Sequence, residues 1–174
     1  VKCIASSGRY VVSGGTDETI RIFDIVSRKD VGTLMKQEDT ITCLKFYQDS
    51  HLFSSSDNGT ICVWDVCTWH CLKTLQGHKL SVRYLSVHPS GKLLLSISKD
   101  KALRTWNLVK GRCAYVTNIK AIANLVYWTP DASHFLIVFD RHIDMYDIDL
   151  GAFIYSFEID RAITCISFLD VSFI

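Results

Sequence analysis

The chain has 174 residues, 48% of them apolar, and a formal net charge of +1. That is enough apolar material for a single-domain core, and a balance too close to neutral to signal a nucleic-acid surface. Lysines and arginines are scattered with no run of five, and no stretch approaches 18 consecutive apolar residues, so a membrane-spanning helix is not expected.

Taken in order, residues 1–34 read as three alternating runs, Val1–Ala5, Tyr10–Ser13 and Thr19–Phe23, with an outer run over Asp30–Leu34. Alternation of apolar and polar residues is the signature of strands, because successive side chains point to opposite faces. Residues 41–75 repeat the pattern as Ile41–Tyr47, Leu52–Ser55, Thr60–Trp64 and Cys71–Leu75, with Asn58-Gly59 a strong hairpin signal. The third unit runs Val82–Val87, Lys92–Ser98, Ala102–Trp106 and Cys113–Thr117; Pro89-Ser90-Gly91, Lys99-Asp100-Lys101 and Gly111 supply its turns. The fourth runs Ala123–Trp128, Phe135–Phe139, His142–Tyr146 and Phe153–Glu158, with Gly151 turning into its last strand. A fifth opens at Ile163–Phe168 and then stops.

The units are copies of one another. Phe23-Asp24, Trp64-Asp65, Trp106-Asn107 and Tyr146-Asp147 recur at steps of 41, 42 and 40 residues, each six residues after a turn residue: Asp17, Asn58, Asp100 and Asp140. Cys3, Cys43 and Cys165 share one strand position, which makes them small core hydrophobes. The seven cysteines show no framework spacing, and no charged-then-apolar leader opens the chain, so a reducing, non-secreted setting is expected.

A 40–45-residue repeat beginning near Gly-His and ending near Trp-Asp resembles the WD40 family. The resemblance implies an all-β WD40 β-propeller, here truncated: about four four-stranded blades (1–34, 41–75, 82–117 and 123–158) plus the first strand of a fifth within 163–174. Families of this kind usually close a ring of seven blades, so each end is expected to expose a face that a neighbour would bury. It also implies a hydrogen-bonded chain of histidine, serine, aspartate and tryptophan, matched in the third unit by His78, Ser96, Asp100 and Trp106. The second unit keeps Ser54 and Trp64 but has Gln37 and Asn58 in place of histidine and aspartate. The first keeps Ser13 and Asp17 but ends in Phe23, which has no donor; the fourth keeps only Asp140.

Other chemistry is weighed and set aside. Ser96 lies inside a strand with no nucleophile-elbow glycines, so His78, Ser96 and Asp100 are expected to be structural and no catalytic residue is assigned. Cys67, His70 and Cys71 offer three metal-ligand types on one turn, but a structural zinc needs a fourth ligand and only His51 is near, so an exposed turn with an inward Trp69 or Cys71 is preferred. No metal, cofactor or small-molecule substrate is expected.

By the repeat register, a partner-binding rim is expected at Lys2, Thr16, Thr40, Thr42, Asp57, Ser81, Arg83, Lys99, Asn124 and Phe139, with Phe139 an apolar spot among basic residues. Beyond the generic repeat, the stretches 17–24, 40–47, 88–96 and 100–112 are similar to the p21-activated kinase-interacting proteins, as are 118–120 and 143–149 in the weak fourth unit. That resemblance implies protein partners (a p21-activated kinase and pre-60S assembly factors), roles in kinase regulation and large ribosomal subunit assembly, and a place in the nucleus and nucleolus. A generic WD40 adaptor, such as a ubiquitin-ligase substrate receptor, or an inactive truncated isoform remain open alternatives.

Overall fold

The computed structural model describes residues 1–148 and 152–166. Within them the backbone forms four antiparallel four-stranded sheets and no helix. Blade one is β1 (Cys3–Ser6), β2 (Tyr10–Gly14), β3 (Ile20–Asp24) and β4 (Lys29–Leu34); blade two is β5 (Ile41–Tyr47), β6 (His51–Ser56), β7 (Ile61–Asp65) and β8 (Cys71–Leu75). Blade three is β9 (Val82–Val87), β10 (Leu93–Ser98), β11 (Ala102–Asn107) and β12 (Arg112–Asn118); blade four is β13 (Leu125–Trp128), β14 (His134–Val138), β15 (His142–Asp147) and β16 (Phe153–Glu158). Each sheet is a meander in chain order, and expected strand ends differ from these by no more than two residues.

The repeat is geometric as well as compositional. In every blade the pairing of third and fourth strands slips immediately before the closing aromatic: at Ile22/Phe23, Val63/Trp64, Thr105/Trp106 and Met145/Tyr146. Such a bulge adds twist and re-aims the residue beside it. Five residues after the aromatic the chain turns through a left-handed backbone at Arg28, Trp69 and Gly111. The corresponding Gly151 lies outside the described residues.

Three layers between successive blades make the core. Val12, Ile20 and Ile22 of blade one meet Leu44, Leu52 and Trp64 of blade two; the opposite face of blade two, Phe53, Ile61 and Leu75, meets Leu85, Leu94 and Trp106. Leu95, Ile97 and Leu103 then meet Ala123, Val126 and Trp128. Complete burial of a leucine or isoleucine contributes about 1.5–3 kcal/mol, so these layers are what hold one blade to the next. Polar bonds add direction: Ile41 N–H to the Gly15 carbonyl (3.0 Å), Thr42 Oγ1 to the Val82 carbonyl (2.6 Å), and Trp128 N–H to Ser86 Oγ (3.1 Å).

The inner strands pack in sequence, β1 on β5, β5 on β9 and β9 on β13, so the blades follow one another around an arc. Ile4 and Phe23, on the face of blade one turned away from blade two, are 66% and 45% exposed. Phe153, Tyr155 and Phe157 on β16 are exposed too.

Two expectations about buried cysteine hold and one does not. Burial pushes the Cys3 thiol up to about 12 and Cys43 up to about 11, so both remain protonated packing groups. Cys165 is exposed, because residues 162–166 form no strand; Ile163 N–H is spent on the Asp140 carbonyl at 2.8 Å and not on a new sheet. Residues 167 and 168 of the expected fifth-blade strand lie outside the described residues.

Candidate partner-binding site

The tryptophan that closes β11 organises the most complete blade. Trp106 Nε1–H donates to Ser96 Oγ (2.8 Å), the serine hydroxyl donates to His78 Nε2 (2.7 Å), and His78 Nδ1–H donates to Asp100 Oδ2 (3.0 Å). Asp100 also accepts the backbone N–H groups of Lys79 and Ala102, both at 3.0 Å. The chain thus ties β10, β11 and the blade two–three linker together, with every donor matched to an acceptor.

Ser96, His78 and Asp100 have the distances of a nucleophile–base–orienter triad. Ser96 is 0% exposed, however, and its oxygen already accepts the indole N–H, so no substrate atom can approach it. What the arrangement does in this structure is tie strands together.

The electrostatics follow. Burial lowers the His78 pKa below its usual 6.5, opposed in part by the bond to Asp100, so the ring is neutral in the fold. Asp100 feels the same burial, but the hydrogen bonds from Lys79, His78 and Ala102 outweigh it and leave its pKa lowered. The unfolded chain therefore takes up a proton at His78 before the folded chain does. Stability from this group is complete above about pH 6.5 and falls as the pH drops through the lowered folded value. His78→Gln is expected to remove that segment of the pH dependence, read as urea midpoints between pH 5 and 7.5.

Gln37 shows why that substitution is tolerable. In blade two Trp64 Nε1–H donates to Ser54 Oγ (2.8 Å), Ser54 donates to Gln37 Oε1, and Gln37 Nε2 passes the chain to the Thr60 carbonyl (3.2 Å). Asn58 is left to close its own turn, accepting from Thr60 N–H (3.0 Å). The network expected to be incomplete is complete by replacement. Its signal was the placement of a buried-competent amide 41 residues before His78.

Blade one corrects the sequence reading. Ser13 makes no side-chain hydrogen bond among the described residues, and Asp17 is exposed and bonds within its own turn, accepting from Thr19 Oγ1 (3.0 Å). Phe23 has no N–H to offer Ser13, so neither residue joins a network there. The Cys67–Cys71 turn presents Cys67 and His70 to solvent and turns Trp69 inward, edge-on to Tyr10 at 5.1 Å.

Seven of the ten expected rim residues converge. Lys2, Thr42 and Arg83 hold one position at the start of β1, β5 and β9; with Thr40, Ser81, Asp57 and Lys99 they line a single cavity of about 260 Å³. Thr42 forms part of its floor, bonding Ser55 Oγ (2.9 Å) and the Val82 carbonyl (2.6 Å). Three cations face one carboxylate, and among the described residues Lys2, Arg83 and Lys99 make no ion pair. The cavity is therefore suited to an acidic group.

The other three rim residues lie elsewhere. Thr16 is exposed but outside the cavity, and Asn124 spends its amide on Asp140 Oδ1 at 2.6 Å. Phe139 is 5% exposed, packed in the blade three–four layer and stacked on His142 at 4.4 Å. It is core and not an apolar spot on the rim, because blade four turns that position inward.

Repeating sheets, a bulge before each closing aromatic and the Trp–Ser–His–Asp chain describe one known architecture. The family model described as WD domain, G-beta repeat matches residues 1–24, 28–65 and 69–107, more than half the chain. The chain belongs to the WD40 family. Blade four lies beyond the matched residues yet forms the same sheet, so the WD40 fold outlasts its sequence signature here. The chain is 42% identical over 172 residues to a p21-activated protein kinase-interacting protein 1-like of Danio rerio, covering 99% of this chain and 47% of that one. It is 42% identical over 172 residues to p21-activated protein kinase-interacting protein 1 of Homo sapiens (99% and 44%). A Shk1 kinase-binding protein 15 of Schizosaccharomyces pombe is 32% identical over 160 residues (89% and 46%). The chain thus spans about half the length of these relatives.

Proposed function

We propose that this WD40 chain is a non-enzymatic scaffold whose rim cavity grips an acidic segment of a protein partner. The observation that carries the reading is the convergence of Lys2, Arg83 and Lys99 from three blades on one opening, with Asp57 the only carboxylate in its lining among the described residues. Three relatives carry kinase-interaction or kinase-binding names, which supports a p21-activated kinase as one partner. The resemblance to that family further supports pre-60S assembly factors as partners and a nucleolar setting.

Affinity purification of the tagged chain tests this directly. The wild type is expected to recover kinase or large-subunit assembly factors, and Arg83→Glu with Lys99→Glu to recover roughly tenfold less with an unchanged melting temperature. Both side chains are exposed and, among the described residues, free of internal ion pairs, so their reversal costs the fold little. Recovery of ubiquitin-ligase subunits in place of those partners would favour a generic adaptor. Equal recovery by the double variant would remove the cavity from the interface.

A further inference from the structure

A second opening lies at the other end of the blades. Thr42 and Tyr47 sit near opposite ends of β5; the first lines the rim cavity and the second lines a groove of about 330 Å³ between blades two and three. Its floor is apolar core: Phe53, Val63 and Leu75 are 2%, 9% and 2% exposed. Its mouth carries Leu72 and Val109, which are 55% and 77% exposed although both are aliphatic.

Two glycines in its wall let Tyr47 and Lys73 lie directly against the turns of blade three. A Cβ on Gly91 would stand 2.5 Å from the Tyr47 ring, and one on Gly111 would overlap the end of the Lys73 side chain. Both glycines also have left-handed backbone, with φ of 69° and 60°, so the turns that shape the wall and the space they leave come from the same residues.

The charge around the groove is mostly of one sign; the exception is Asp49, the exposed neighbour of lining residue Ser50, which accepts the Gly8 N–H at 3.0 Å. Lys73 is part of the lining; Lys92, Lys110 and Arg112 are the exposed chain neighbours of lining residues Gly91, Val109 and Gly111. Among the described residues no carboxylate is in the lining and none of these four cations makes an ion pair. A pocket at the small end of the ~300–1,000 Å³ range, apolar below and cationic at its lip, fits one or two apolar side chains beside a carboxylate.

We propose that this groove is a second docking site, distinct from the rim, for a partner peptide that presents an aliphatic or aromatic anchor flanked by acidic residues. The anchor sits on Phe53, Val63 and Leu75, in contact with Leu72 and Val109, and the flanking carboxylate meets Lys73. Two sites at opposite ends of the blades let one chain hold two partners, or two segments of one partner, at once.

The probe is a fluorescein-labelled peptide, Glu-Glu-Leu-Phe-Asp-Glu, titrated against the full chain by anisotropy. Companion peptides replace Leu-Phe by Ala-Ala or the acids by lysines. The wild type is expected to bind the parent peptide and to bind either companion at least about tenfold more weakly. Val109→Glu and Lys73→Glu, both at exposed positions, are each expected to weaken the parent peptide by a similar factor while circular dichroism stays unchanged. Lys29→Glu, an exposed charge reversal outside both openings, is expected to leave it intact. The assignment is overturned if the parent peptide does not bind, if the lysine companion binds equally well, or if Lys29→Glu abolishes binding while Val109→Glu does not.

Discussion

Ser96→Ala is expected to destabilise the chain by about 2–5 kcal/mol, a large share of the ~5–15 kcal/mol that holds a typical domain together. The hydroxyl accepts the Trp106 N–H at 2.8 Å and donates to His78 Nε2 at 2.7 Å. Its removal strands both groups where Ser96 is 0%, Trp106 1% and His78 7% exposed. An unsatisfied buried donor or acceptor costs about 1–3 kcal/mol, and here there are two. Ser13→Ala is the matched control: the same repeat position, half-buried, with no side-chain bond to lose among the described residues, and an expected change within about 0.5 kcal/mol. Urea unfolding of the two variants side by side decides the matter. Equal midpoints would mean that the hydrogen-bonded chain adds nothing to stability.

Gly59→Ala is expected to cost more than about 2 kcal/mol, through a different cause. Gly59, Lys101 and Glu18 occupy one turn position in successive blades, all with left-handed backbone at φ of 87°, 59° and 61°. An L-residue there carries strain of about 1–2 kcal/mol. At Gly59 a Cβ would also stand 2.6 Å from the His78 carbonyl oxygen and 3.2 Å from that of Leu80. Those are backbone atoms of the linker that delivers His78 to Ser96, so relieving the overlap displaces the adjoining blade's hydrogen-bonded chain. Lys101→Gly, at the same turn in blade three, relieves strain and is expected to be neutral or stabilising by up to about 1 kcal/mol. Opposite signs at equivalent positions would show in the melting temperatures. A neutral Gly59→Ala would mean that the linker can yield without loss.

Most of the architecture was legible in the chain because its signals are local. Alternation located the sixteen strands, since side-chain direction along a strand depends only on the neighbours in sequence. The 40- to 42-residue spacing of Phe23, Trp64, Trp106 and Tyr146 gave the blade count, because identical local geometry recurs at identical spacing. The chain Trp106–Ser96–His78–Asp100 could be named in advance from the resemblance to WD40 blades. The register that carries Lys2, Thr42 and Arg83 to one opening followed from the spacing.

What the repeat could not specify is which residues meet across blades. Gln37 replaces a histidine because its amide reaches both Ser54 and the Thr60 carbonyl, a matter of distance in space. Phe139 and Lys99 share a register position, yet one packs in the core and the other lines the cavity. Ser13 and Asp17 have the right identities but no donor at Phe23 to join them, and Cys165 shares a position with Cys43 but no sheet to bury it. The groove over Phe53, Val63 and Leu75 exists only because two turns of blade three stand against blade two. Sequence by itself determined the blades, through periodicity within each strand and repeat. Tertiary structure alone decided the partners, because burial and hydrogen bonding there depend on contacts between residues some 20–40 positions apart that no local pattern records.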